Sequence, residues 1–170
     1  GIRLASAVET AHRAGILHRD IKPANVLITD FGWPALTDFG IASTAAEGAT
    51  GMSIPWSPPE MLAEHPVGDE RSDIYSLAAT VYSLLARRSP FEVPDGPNSA
   101  ADIVSRIERA PLAPTGGGDV PAELQAVLER ALAKSPAARP GSALEFARAL
   151  QQIEIAMLLP PTPLDLPEEA

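Results

Sequence analysis

Apolar residues recur at intervals of three and four along much of the chain, and this spacing predicts helices. The first predicted helix spans residues 2–14, and Gly15 follows it as a natural stop. The second runs from about Ser72 to Ala86 and ends before Pro90. Its apolar residues form one stripe suited to a core position: Ile74, Leu77, Ala78, Val81 and Leu85.

Three shorter helices are predicted in the second half of the chain. One lies around Ala101–Glu108, and another begins after Pro121, a residue favoured in the first turn of a helix. Ser142 and Glu145 have the spacing of a capping box that opens the last helix. The apolar face of that helix consists of Phe146, Ala147, Leu150 and Ile153.

Two short apolar runs, Val26–Ile28 and Ala35–Thr37, are separated by the turn residues Asp30, Gly32 and Pro34. This pattern predicts a small β-hairpin. Residues 38–59 then lack periodicity, which is typical of a long functional loop. The predicted fold class is therefore mainly α with a small β-hairpin, or α+β overall.

The length of 170 residues allows one domain with a sizeable core. We expect that domain over residues 1–154 and a Pro-rich, acidic tail or linker over residues 155–170. No apolar run approaches the ~20 residues that span a bilayer. The chain opens at Gly1 already inside an amphipathic pattern, so we expect that it begins partway through a larger product.

The formal net charge is −9 and the pI is near 4.7, which argues against nucleic acid as the main partner. Cysteine is absent, so disulfides and thiolate metal sites are excluded, and we expect a cytoplasmic location. The alternative is that the chain is the cytoplasmic part of a membrane-anchored protein. His12 and His65 lack a partner at metal-ligand spacing and are interpreted as surface residues.

Residues 18–25 read His-Arg-Asp-Ile-Lys-Pro-Ala-Asn and bring together a carboxylate, an ammonium group and an amide. A hydroxyl nucleophile needs a carboxylate to orient it and accept its proton, and a moving phosphoryl group needs cations. The stretch resembles the H-R-D-x-x-x-x-N catalytic loop of bacterial-type, actinobacterial-like Ser/Thr protein kinases. The resemblance implies that Asp20 is the base, that Lys22 contacts the phosphoryl group, and that Asn25 holds magnesium.

The family's metal-binding Asp-Phe-Gly triplet has two candidates in this sequence. Asp38, with Phe39 and Gly40, follows the predicted hairpin as the family's order requires, whereas Asp30 falls inside its turn. We prefer Asp38 as the second magnesium ligand and keep Asp30 as the alternative. The implied cofactors are ATP and Mg²⁺, with Mn²⁺ as a possible substitute for Mg²⁺.

Residues 57–60, Ser-Pro-Pro-Glu, resemble the triplet that closes the activation segment, with Pro58 in place of the usual Ala. The resemblance places Ser53 near the catalytic Asp, although Met52 replaces the usual Gly before it. Candidate phosphorylation sites that Arg19 could pair with are Thr50, Thr44 and Ser43.

Three further residues have structural roles in the resemblance. Glu60 is expected to form a buried ion pair with Arg139, and Asp73 is expected to brace the backbone of the catalytic loop. A cap at the start of the second helix is the alternative role for Asp73.

The sequence lacks a G-x-G-x-x-G loop, a strand lysine of the V-A-x-K kind and its helical glutamate partner. The resemblance therefore covers the C-terminal lobe of a kinase, without the N-lobe that grips ATP. We expect the chain to phosphorylate Ser or Thr of protein substrates when it is joined to an N-lobe, and to be inactive alone. The alternative is a non-catalytic, pseudokinase-like scaffold or protein-binding module.

Overall fold

The computed structural model describes residues 2–30, 32, 34–37, 53–62, 68–116 and 120–164. Within these ranges the chain is mostly helical with one two-stranded antiparallel sheet, which confirms the predicted mainly helical chain with a small hairpin. The elements are α1 (Ile2–Arg13), β1 (Val26–Ile28), β2 (Pro34–Leu36), α2 (Glu70–Ala86), α3 (Ala100–Arg109), α4 (Ala122–Ala131) and α5 (Ala143–Ala156).

Helix α2 begins at Glu70, two residues before the predicted start. Its cap is Asp69, whose side chain accepts hydrogen bonds from the N–H groups of Arg71 and Ser72. The Ser72 hydroxyl oxygen accepts a hydrogen bond from the Asp69 N–H, which completes a capping box. The alternative role of Asp73 as the cap is therefore wrong, because Asp73 lies one turn inside the helix.

Helix α5 begins with half of its predicted capping box. The Ser142 hydroxyl accepts a hydrogen bond from the Glu145 N–H at 3.0 Å, as expected. The Glu145 carboxylate instead accepts the Gly141 N–H at 2.7 Å and pairs with Arg130. These bonds lower the pKa of Glu145 below its usual range, the bond from Gly141 contributing most.

The hairpin pairs Val26 with Leu36, Leu27 with Ala35, and Ile28 with Pro34. The second strand is one residue earlier than predicted, since Pro34 is its first residue, a position where a proline needs no ladder hydrogen bond. Gly32 has a φ of +77°, the left-handed conformation that favours glycine in a turn.

The core is built around α2, in which every residue from Ser72 to Tyr82 is buried. Helices α1, α4 and α5 pack around it, which explains why α2 lacks the polar face of a surface helix. A second, smaller cluster joins α3 to the loop after α2 through Phe91, Ile103 and Ile107.

The tail is described as far as Leu164 and returns along α5. The Glu154 carboxylate accepts hydrogen bonds from the N–H and the hydroxyl of Thr162, at 2.9 and 2.7 Å. Leu164 packs against the main core. Among the described residues, no helix has both the length and the apolar character that a membrane crossing requires.

Lys134 fastens the end of α3 to the loop after α4. Its ammonium group donates to the carbonyl oxygens of Arg106 and Ile107 at 3.3 and 2.7 Å, and it lies 4.5 Å from the centre of the Phe91 ring. Burial lowers the pKa of this ammonium group below its usual range. A positive charge at a helix C-terminus is favourable, so Lys134 stabilises the smaller cluster.

We expect Lys134→Met to lower the free energy of unfolding by about 1–2 kcal/mol, because the side chain keeps its length but loses its hydrogen bonds and ring contact. Urea denaturation measures the change. The matched control is Arg109→Met, on the exposed last turn of α3, which should change stability by less than about 0.5 kcal/mol. Equal losses in the two variants would contradict this role for Lys134.

Candidate active site

The loop after α1 is held by one buried carboxylate from α2. Asp73, which is 2% exposed, accepts the His18 N–H at 2.8 Å and the Arg19 N–H at 2.9 Å. Arg19 has a φ of 69°, a strained value for a residue with a side chain. The two hydrogen bonds hold this backbone in place, so the segment that carries Asp20 is fixed by the core helix.

His12 is a third donor to Asp73, at 2.9 Å from Nε2 to Oδ2. The His12 side chain is only 6% exposed, so its interpretation as a surface residue is wrong. No spacing rule links position 12 to position 73, and the pair forms only because α1 and α2 pack together. His65 lies outside the described residues.

His18 links the loop to the hairpin. Its Nε2 lies 2.7 Å from the Thr37 carbonyl oxygen, and its Nδ1 accepts the Asp20 N–H at 3.0 Å. Since a carbonyl only accepts and an N–H only donates, the proton of this imidazole is on Nε2. The buried ring therefore orients the backbone of Asp20 from one side.

The Asp20 carboxylate is the centre of a polar cluster. Ser53 donates its hydroxyl to Asp20 Oδ1 at 2.6 Å, and Lys22 Nζ lies 3.1 Å from the Ser53 oxygen and 3.7 Å from Asp20 Oδ2. Asn25 donates from Nδ2 to the backbone oxygen of Asp20 at 2.7 Å and to its Oδ2 at 3.2 Å. The structure thus brings together Asp20, Lys22, Asn25 and Ser53.

Of the two candidates for the metal-binding Asp, Asp30 lies within the described residues and Asp38 lies outside them. Asp30 is exposed in the hairpin turn. Asp38, Phe39 and Gly40 lie outside the described residues, as do Thr50, Thr44, Ser43 and Met52. Thr37, which precedes Asp38, donates its N–H to the Asn25 carbonyl at 2.9 Å.

Glu60 and Arg139, which are 79 residues apart in the sequence, form a bidentate ion pair with N–O distances of 2.6 and 2.9 Å. The Arg139 side chain is fully buried, whereas that of Glu60 is 18% exposed. Arg139 also donates from Nε to the Ala133 carbonyl at 2.7 Å. The Ser72 hydroxyl donates to Glu60 at 2.9 Å and connects the pair to the start of α2.

Tyr75 packs against this ion pair, a role that no motif or spacing in the sequence indicated. The Arg139 guanidinium lies 4.9 Å from the centre of its ring, a favourable cation–π arrangement. Burial raises the pKa of the Tyr75 phenol above its usual range. Within the described residues its hydroxyl has no hydrogen-bond partner.

The chemistry of the cluster follows from its charges. A carboxylate can accept about four hydrogen bonds, so Asp20 keeps acceptor capacity beyond its bonds from Ser53 and Asn25 and can orient a hydroxyl and take its proton. The Lys22 ammonium group can stabilise negative charge that develops nearby. Among the described residues, no group of three or more His, Cys, Asp or Glu side chains is arranged to hold a metal ion.

Comparison with known proteins assigns the chain to one class. A family model described as the protein kinase domain matches residues 2–153. The match covers most of the 170-residue chain, and the chain therefore belongs to the protein kinase family.

The relatives of this chain include bacterial serine/threonine-protein kinases. The chain is similar to serine/threonine-protein kinase PknK of Mycobacterium tuberculosis, with 41% identity over 159 residues, which is 91% of this chain and 14% of that protein. It is similar to serine/threonine-protein kinases drp72 of Corynebacterium efficiens, with 37% identity over 94% of this chain and 30% of that protein. PknJ of Mycobacterium tuberculosis is 38% identical over 86% of this chain and 26% of its own length.

These relatives confirm the resemblance to actinobacterial Ser/Thr kinases. The chain spans less than a third of the length of each of them, between 14% and 30%.

We expect Arg139→Met to lower the free energy of unfolding by about 3–5 kcal/mol, because it leaves the Glu60 carboxylate without its buried partner. The control is Arg130→Met in the exposed Arg130–Glu145 pair, whose side chains are 54% and 46% exposed. That change should lower stability by less than about 1 kcal/mol. Urea denaturation of both variants gives the comparison, and similar losses would contradict an architectural role for Arg139.

Proposed function

We propose that this chain is the C-terminal lobe of a bacterial Ser/Thr protein kinase, which transfers the γ-phosphoryl group of ATP to protein Ser or Thr hydroxyls when joined to its N-lobe. The observation that carries the proposal is the hydrogen-bonded cluster of Asp20, Lys22, Asn25 and Ser53 on a loop fixed by Asp73. The family of the chain and its named relatives support the same reaction. Its setting is the cytoplasm, where ATP is available.

In this mechanism Asp20 orients the substrate hydroxyl and accepts its proton as the oxygen attacks the γ-phosphorus, and the bond from that phosphorus to the β,γ-bridging oxygen breaks to release ADP. Ser53 and Asn25 restrict the carboxylate to one orientation, which lowers the cost of reaching a productive geometry. Lys22, 3.7 Å from Asp20 Oδ2, is placed to stabilise the transferred group's charge. The base and the cation are therefore adjacent to one reacting position.

The residues fit a magnesium ion bound with the nucleotide. Asn25 uses its Nδ2 for Asp20, which leaves its amide oxygen as a ligand, and hard cations such as Mg²⁺ and Mn²⁺ prefer oxygen. We propose Asp38 as the carboxylate ligand, supported by the hydrogen bonds that tie Thr37 to Asn25 and His18. When bound, the ion would neutralise phosphate charge.

A second lobe is proposed because part of the hairpin is uncovered next to the site. Leu27 and Ile28, two and three positions after Asn25, are 55% and 67% exposed. Apolar side chains at this position suit contact with another lobe or with an apolar ligand. Since the sequence also lacks the motifs that clamp phosphates, the isolated chain is expected to be inactive.

We expect Asp20→Asn to lower kcat by about 10²–10⁴-fold in the full-length gene product, because the amide cannot accept the proton. Transfer of radiolabelled phosphate from Mg-ATP to a protein substrate measures it. Asp38→Asn should also remove most activity, whereas the matched turn variant Asp30→Asn should retain it. If wild-type protein transfers no phosphate, the scaffold alternative takes the place of the kinase proposal.

A further inference from the structure

A pocket of about 290 Å³ opens beside the candidate active site. Its walls come from three parts of the chain: the catalytic loop, the segment around Trp56, and the C-terminal end of α2 with the loop that follows it. The lining includes Pro23, Trp56, Ser83, Arg87, Arg88 and Glu92.

The pocket lies within reach of a peptide whose hydroxyl is at Asp20. Pro23 directly follows Lys22, so their Cα atoms are about 3.8 Å apart. Trp56 ends the short 3₁₀ turn that follows Ser53, and such a turn rises about 2 Å per residue. An extended peptide advances about 3.3 Å per residue, so a side chain two to four positions from the target can enter the pocket.

The Trp56 wall of the pocket is anchored. Its indole N–H donates to the Ser83 hydroxyl at 2.9 Å, and the Trp56 carbonyl accepts the Ser76 hydroxyl at 2.8 Å. Both partners belong to the core helix α2. The pocket and the catalytic loop are therefore positioned by the same helix.

The pocket carries excess positive charge in a chain of net charge −9. Arg88 donates to the Tyr82 hydroxyl at 3.1 Å and to the Pro114 carbonyl at 3.0 Å, and neither acceptor is charged. Arg87 is exposed. Across the described ranges neither arginine forms an ion pair, and Glu92 is the acidic residue in the pocket lining.

Arg87 occupies a conformation that glycine would adopt at lower cost. It ends α2 with a φ of 60° and a ψ of 26°, and its N–H donates to the Ser83 carbonyl at 2.8 Å. Glycine is the usual residue in this left-handed position at a helix end. The arginine therefore adds a positive charge at the pocket, although its left-handed backbone is less favourable than it would be for glycine.

We propose that this pocket binds an acidic side chain of the protein substrate, two to four residues from the phosphorylated Ser or Thr. Arginine suits the task because its planar guanidinium group binds a carboxylate through two hydrogen bonds. The inference rests on the proposed kinase function, and it makes Arg87 and Arg88 determinants of substrate selectivity.

The test uses the full-length gene product and a set of Ser peptides in which one Glu is moved through positions −4 to +4, with Gln at the same position as the neutral partner. The ratio of kcat/KM for Glu over Gln should reach about five- to fiftyfold at one position or more. In Arg87→Gly the ratio should fall severalfold, while Arg87→Lys should retain more of it.

Arg87→Gly suits the test because glycine relieves the left-handed backbone, so the variant should fold at least as stably as the wild type. The control Arg148→Ala removes an equal charge from the exposed face of α5, outside the pocket lining, and should leave the ratio unchanged. A ratio near one at every position, or one that Arg87→Gly leaves intact, would overturn the proposal.

A measurement of peptide binding tests the acidic-side-chain pocket separately from the kinase activity. Fluorescence anisotropy measures the binding of labelled peptides in which Ala replaces the target Ser. These peptides cannot accept a phosphoryl group, so the measurement gives the affinity of the pocket independently of phosphate transfer. If no peptide is phosphorylated, the kinase proposal fails. Tighter binding of Glu peptides that weakens in Arg87→Gly would then still support the acidic pocket, whereas equal binding of Glu and Gln peptides would refute it.

Discussion

The site depends on one buried carboxylate, that of Asp73. A carboxylate that is 2% exposed is costly to bury unless donors surround it, and here the N–H groups of His18 and Arg19 and the His12 imidazole do so. The carboxylate belongs to the stretch of α2 from Ser72 to Tyr82, in which every residue is buried, so its position is set by the core. The position of Asp20 therefore depends on the packing of α2.

A second buried interaction fixes the other side of the site. The Glu60–Arg139 pair joins the segment after Ser53 to the region before α5, and Ser72 ties it to the start of the same core helix. Such a pair adds little net stability over an apolar contact, yet losing one partner is destabilising. Its effect is to position Ser53, Trp56 and Glu60 relative to the loop that carries Asp20.

The sequence predicted the features that depend on neighbouring residues, but it did not predict contacts between residues that are far apart in the chain. Helix positions and the hairpin followed from spacing and turn residues, although α2 began earlier because Asp69, rather than a later residue, caps it. The cluster around Asp20 followed from a motif. The His12–Asp73 bond could not be predicted, because it depends on how α1 packs against α2. The Glu145 bond to Gly141 reflects a local competition between two N–H groups that spacing cannot rank.

Hydrogen–deuterium exchange at the backbone amides of His18 and Arg19, measured on this chain without nucleotide, tests the central claim most directly. If Asp73 holds the loop through the core, both amides exchange nearly as slowly as that of Leu77 in the middle of α2. Exchange as fast as that of Asp95, which lies in an exposed loop, would show that the loop is not held by Asp73 and would contradict the account.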